Sequence, residues 1–287
     1  MMTLRIAGLA EVADRYDVLL SDVWGVIHNG REAFDTPCAA LARWRGERGP
    51  VILISNSPRP CGDVARQLDG LGVPREAWTA LVTSGDATRD LLAARAPGPA
   101  WRIGPERDAA LFEGLGLRFA GPGEASFIAC TGPDDDEVET PEDYRAVLTG
   151  AAARGLEMVC ANPDRVVQRG DRLIYCGGAL ADLYKTLGGR VVMAGKPYAP
   201  IYNLSLARAE EFLGRSVDRR RVLAIGDAIA TDILGAQTQG LDTLFIASGI
   251  HGDAAVDPGG ALNLAALEAL GSADEAAPNF AMANLAW

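Results

Sequence analysis

The chain has 287 residues, 48% of them hydrophobic, and a formal net charge of −11. That length accommodates one large core or two smaller ones, and that charge argues against a broad electrostatic grip on nucleic acid or an anionic membrane surface. No stretch approaches the roughly 20 apolar residues that a bilayer-spanning helix needs, and the first residues lack a signal-peptide layout, so a cytoplasmic location is expected.

In chain order, the first short apolar run is Val18–Leu20, which ends at Ser21 and Asp22. A helix-like stretch follows at Pro37–Arg48. The next run, Val51–Ile54, ends at Ser55 and Asn56, and Cys61–Leu71 again reads as helix. The middle of the chain has its own strand–helix rhythm. Ser126–Cys130 and Glu157–Cys160 are candidate strands; Pro141–Arg154 and Ala179–Leu187 are candidate helices. Between them, Gly132–Glu139 is acidic and reads as an exposed loop. Further runs are Val191–Ala194, closed by Gly195 and Lys196, then Val222–Ile225, closed by Gly226 and Asp227, and last Leu244–Ala247. Ile201–Leu213 is a helix between the first two of these. Short runs of Val, Ile and Leu closed by polar or glycine residues are how buried parallel strands read. Their alternation with helices predicts a doubly wound, Rossmann-like α/β sheet. The expected division is a core from residues 1–83 and 187–287, with an inserted α/β domain at 84–186. The five cysteines are odd in number and widely spaced, which fits neither a zinc site nor a disulfide framework and suits a reducing compartment.

An open parallel sheet binds its ligands at the carboxyl ends of its strands. The residues there are Asp22, Ser55 with Asn56, Lys196, and Asp227, with Asp232 one helical turn later. Each alone reads as a turn or helix-capping residue. Together they supply a nucleophile, a hydroxyl and amide donor, a cation and two further carboxylates. A dinucleotide-binding oxidoreductase is disfavoured, because no GxGxxG follows the first strand. A phospho-accepting receiver domain would place its acidic pair before the acceptor Asp and would carry no long insert.

These residues also carry a family resemblance. DVWGV at Asp22–Val26, ISNSPRP at Ile54–Pro60, GKPYAPIY at Gly195–Tyr202 and GDAIATD at Gly226–Asp232 resemble, in order, the four motifs of the haloacid dehalogenase superfamily. The third is close to that of the class IIA (NagD-like) subfamily. TSGDAT at Thr83–Thr88 and ANPD at Ala161–Asp164 are similar to class IIA segments that bound or line the cap. The resemblance implies a hydrolase in which Asp22 is the nucleophile and forms an aspartyl-phosphate with a small phosphorylated substrate. It implies Mg2+ held by Asp22, the backbone carbonyl of Trp24, Asp227 and Asp232. Lys196 would offset the carboxylates and orient Asp22, while Ser55, Asn56 and Trp24 would face the substrate. The insert would be a cap, and a homodimer is a further expectation.

One position departs from the pattern. Phosphatases of the superfamily usually carry a second Asp two residues after the nucleophile, and this chain has Trp24. An indole N–H is no general acid near neutral pH. Several readings stay open: a substrate whose leaving group needs little protonation, a proton from another residue such as His28, chemistry at a carbon–halogen or phosphonate bond, or binding of a phosphorylated metabolite with little turnover.

Overall fold

A computed structural model describes residues 3–169, 172–249, 255–257, 262–272 and 276–287. The chain divides into two compact units. The first comprises Met1–Ser55, Ala65–Val82 and Tyr202–Trp287; the second comprises Asn56–Val64 and Thr83–Ile201.

The strands among the described residues, in chain order, are β1 (Leu4–Arg5), β2 (Val18–Asp22), β3 (Val51–Ser55), β4 (Ala80–Thr83), β5 (Ala100–Ile103), β6 (Phe127–Cys130), β7 (Glu157–Cys160), β8 (Val166–Arg169), β9 (Arg172–Tyr175), β10 (Arg190–Met193), β11 (Val222–Gly226), β12 (Asp242–Ile246) and β13 (Phe280–Met282). The first unit is built on a seven-stranded sheet of order β1-β13-β12-β11-β2-β3-β4. β2 pairs in parallel with β3 on one side and β11 on the other, with Ser21 beside both Leu53 and Ile225. The chain runs outward from β2 through β3 and β4, returns to β11, and runs outward the other way through β12 and β13. The order therefore reverses between β2 and β11, the switch point at which an open α/β sheet opens a crevice beyond its strand ends. This is the doubly wound sheet that the alternating pattern predicts.

Burial explains why these runs lack polar alternation. Val18, Leu19, Leu20, Val51, Ile52 and Leu53 are all fully buried, as strands covered on both faces must be. Each such side chain contributes roughly 1.5–3 kcal/mol on leaving water. The helix Asp35–Glu47 buries Pro37, Ala40, Leu41 and Trp44, a stripe at helical spacing.

The second unit has a four-stranded parallel sheet of order β10-β7-β6-β5 and a two-stranded antiparallel hairpin, β8 with β9. Side chains alternate across the larger sheet. Ile128, Cys130, Met158 and Cys160 pack with Leu148, Leu180 and Tyr184 from the helices Arg145–Ala153 and Gly177–Thr186. Phe127, Ala129, Val159 and Ala161 pack with Leu92, Leu111 and Phe112.

Two expectations change here. The division expected from sequence places residues 191–194 in the core, but β10 pairs along its whole length with β7 of the second unit, Val191 beside Met158. A short apolar run announces a strand without saying which sheet it joins. The acidic segment 132–139 is also only partly exposed. Asp136 is buried and receives the guanidinium groups of Arg107 and Arg169, while Glu137 receives those of Arg169 and Arg172.

Candidate active site

Three residues of the first unit end neighbouring strands or directly follow them. Asp22 ends β2, Ser55 ends β3, and Asp227 follows β11. Asp232 comes next, in the wide helical turn Ile229–Ile233. Carboxylate oxygens of Asp22, Asp227 and Asp232 lie within 4.8 Å of one another, and the three residues are only 6%, 5% and 4% exposed. Two full negative charges at that separation repel by roughly 3 kcal/mol at an effective dielectric of 20. Three carboxylates in one buried cluster form a site that a cation would neutralise. The all-oxygen donor set is of the hard kind that suits a divalent ion such as magnesium or calcium.

The sequence around the cluster keeps it compact. Gly25 has φ +81°, and a Cβ there would sit 2.1 Å from Asp227 Oδ2. A Cβ on Gly249 would sit 1.9 Å from the same oxygen, so the Asp227 carboxylate occupies room that only two glycines leave. A Cβ on Gly226 would likewise meet Asp232 Cγ at 2.2 Å. The Asp232 turn is held from inside by its own carboxylate, which accepts from the Ala228 N–H at 3.1 Å. It is held from outside by the buried Tyr202, whose hydroxyl donates to the carbonyls of Thr231 and Asp232 at 3.2 and 3.4 Å. Tyr202 and Gly249 escaped the sequence reading. Tyr202 closes the GKPYAPIY motif, but nothing in sequence marks Gly249.

Directly after Asp22 the chain makes a tight loop. The Gly25 N–H donates to the His28 carbonyl at 2.8 Å, and Phe34 N–H donates to Ile27 at 2.8 Å. His28 is buried, and its Nδ1 accepts from the Gly30 N–H at 2.9 Å. Burial pushes this imidazole down to about 4, so it is neutral at pH 7. A neutral imidazole N–H is far too weak an acid to protonate a leaving group. Burial thus disfavours the charged, proton-donating form of His28 in this structure. The half-buried Trp24 packs against it edge to face.

Asn56 and Lys196 belong to the second unit, where they are brought together. The Asn56 carboxamide accepts from the Lys196 N–H at 2.7 Å and donates to the Lys196 carbonyl at 3.1 Å. Its amide nitrogen also donates to Asp164 Oδ1 at 2.7 Å. Gly195 is tight against the same side chain: a Cβ there would lie 2.7 Å from Asn56 Oδ1 and 2.4 Å from Ser84 Oγ. Motifs two and three are thus tied through one amide, with the ANPD segment as a third partner. Lys196 is itself buried.

Comparison with known proteins agrees with the motif order. Residues 19–118 match the haloacid dehalogenase-like hydrolase family, and residues 193–270 match a second, HAD-hydrolase-like family. A haloacid dehalogenase-like hydrolase from Brucella suis 1330 superposes with a TM-score of 0.87 at 45% identity, covering 97% of this chain and 98% of that one. The 5'-nucleotidase YutF of Bacillus subtilis is 27% identical over 82% of this chain and 88% of its own length. The glycerol phosphate phosphatase of Mycobacterium tuberculosis, solved in complex with calcium, has a TM-score of 0.61 at 25% identity, covering 83% of this chain and 68% of that one. This chain belongs to the haloacid dehalogenase-like hydrolases, in their class IIA branch, with tryptophan at the second acidic position of the first motif.

Proposed function

We propose that the chain is a divalent-metal-dependent phosphatase of small phosphorylated metabolites, and that Mg2+ is its metal. The observation that carries this reading is the buried Asp22, Asp227, Asp232 cluster at the switch point of the sheet, with Ser55 ending the adjacent strand. Asp22, Asp227 and Asp232, with the Trp24 carbonyl, would hold the ion. When bound, it offsets the carboxylate charge and polarises a phosphoryl oxygen.

The remaining chemistry falls to the chain. A carboxylate oxygen of Asp22 attacks phosphorus, the bond from phosphorus to the ester oxygen breaks, and an aspartyl-phosphate forms. Water then cleaves that intermediate and regenerates the carboxylate. Ser55 donates to a phosphoryl oxygen as charge shifts in the transition state. Lys196 supplies the compensating positive charge. Asn56 is better suited to holding the Lys196 backbone than to binding phosphate, because both ends of its amide are engaged. The insert at residues 84–186 would act as the cap that selects the leaving group. No helix among the described residues is long and apolar enough to cross a membrane, and none of the five cysteines is in a disulfide, which suits a cytoplasmic enzyme; pairing into a homodimer is part of the same proposal.

A screen of phosphorylated metabolites with and without magnesium tests the reading. Turnover that requires the metal is expected; tight binding of a phosphorylated metabolite with no turnover of any phosphate ester would favour a binding protein instead, a reading that Trp24 keeps alive. Calorimetry tests the metal separately. Asp227→Ala should weaken magnesium binding by at least about tenfold, and unchanged affinity would put the ion elsewhere.

A further inference from the structure

We propose that Trp24 is a fixed aromatic wall for the leaving group, held in place by His28 as a positioning residue, and that the substrate is the phosphate ester of a planar, ring-bearing alcohol. This rests on the phosphatase reading and narrows it. The case starts from how little freedom the indole has. Its six-membered ring lies on Gly30, where a Cβ would stand 2.6 Å from both Cη2 and Cζ2. Gly30 also has φ +83°, a conformation that L side chains rarely adopt. The His28 ring meets the indole at a centroid distance of 5.0 Å and an interplanar angle of 70°, the edge-to-face arrangement that aromatic quadrupoles favour.

The seat itself is rigid. His28 pairs with Trp24 on one side and Ala33 on the other through isolated backbone bridges. Its Nδ1 holds the Gly30 N–H, which keeps the glycine under the indole. The Asn29 side chain closes the turn by accepting from the N–H groups of Arg31 and Glu32, both at 3.0 Å. A tryptophan that only filled a core would be covered on all sides. This one is seated on His28 and Gly30 yet remains half-buried, two residues from the buried Asp22. Supporting a partly covered indole from two sides in this way is how a protein presets a binding surface.

Binding of phosphonates separates this idea from leaving-group chemistry, because a simple carbon–phosphorus bond carries no leaving oxygen. Phenylphosphonate and cyclohexylphosphonate differ mainly in planarity. As competitive inhibitors of p-nitrophenyl phosphate hydrolysis, the planar one should bind about two- to tenfold more tightly, the range of an aromatic pair. Trp24→Leu should bring that ratio close to 1. His28→Ala should lower it while leaving Trp24 in place, and His28→Asn, whose carbonyl can accept from Gly30, should restore part of it. A ratio near 1 in the unmodified protein, or one untouched by Trp24→Leu, would overturn the wall; a ratio intact in a folded His28→Ala would overturn the positioning role. If neither phosphonate binds and p-nitrophenyl phosphate is not hydrolysed, the phosphatase reading itself has failed and this inference with it.

Discussion

Asp22→Asn should abolish turnover of any phosphate ester the protein hydrolyses, by about 10⁴-fold or more, the scale on which loss of a nucleophile is felt. The substitution keeps the size of the side chain and removes its ability to attack phosphorus. The fold should survive, because Asp22 ends β2 and leaves the packing of Val18, Leu19 and Leu20 untouched. Removing one charge from a buried carboxylate cluster also relieves repulsion, so the variant should be at least as stable as the parent in the absence of metal. Circular dichroism and a denaturation midpoint check that part. Mass spectrometry of the unmodified protein, quenched during turnover, should show a phosphorylated species that Asp22→Asn lacks. Full activity in a folded Asp22→Asn would remove covalent catalysis by this residue.

The second large effect concerns the missing acid. If no other group takes the role of the carboxylate that Trp24 replaces, negative charge that builds on the departing oxygen is not relieved by proton transfer. The rate should therefore fall steeply as the leaving-group pKa rises, from aryl and acyl phosphates down to simple alkyl phosphates. General acids contribute about 10²–10⁴-fold, or roughly 3–5 kcal/mol of barrier. Trp24→Asp should raise alkyl phosphate hydrolysis by at most that factor. It also empties the seat formed by His28 and Gly30, which costs stability and can mask the gain. The leaving-group series in the unmodified protein is thus the primary measurement. A flat dependence, with chemistry shown to be rate-limiting, would mean that some other residue donates the proton, and His28→Ala would be the next variant to measure.

Much of the candidate site was legible in sequence because its residues stand at the boundary of two physical regimes. Asp22, Ser55 and Asp227 each come just where an apolar run stops, and in a parallel sheet that boundary is the ligand-binding edge. The alternation of such runs with helices was enough for a doubly wound sheet. What local sequence could not convey was partnership. Lys196 stood at the end of a strand, as expected, but β10 joins the sheet of the second unit. The hairpin of β8 and β9 was missed because Arg169 and Arg172 make its tip resemble a charged loop; the structure pins both to Glu137. The packing of Trp24 between His28 and Gly30 was equally hidden. A glycine with positive φ and a buried histidine leave no periodic signal.

The glycines around Asp227 have a consequence for reading mutational data. Gly25 and Gly249 carry no chemistry, yet any side chain at either position drives an atom into the Asp227 carboxylate. In an activity-based saturation scan, these two positions would therefore score as intolerant as the aspartate itself. Ranking residues by intolerance alone would then credit the site with two catalytic groups it does not have. An expression or solubility screen run in parallel separates the classes, since Asp227→Asn should accumulate as folded protein more readily than Gly25→Val, which distorts the loop after β2 as well as displacing the carboxylate.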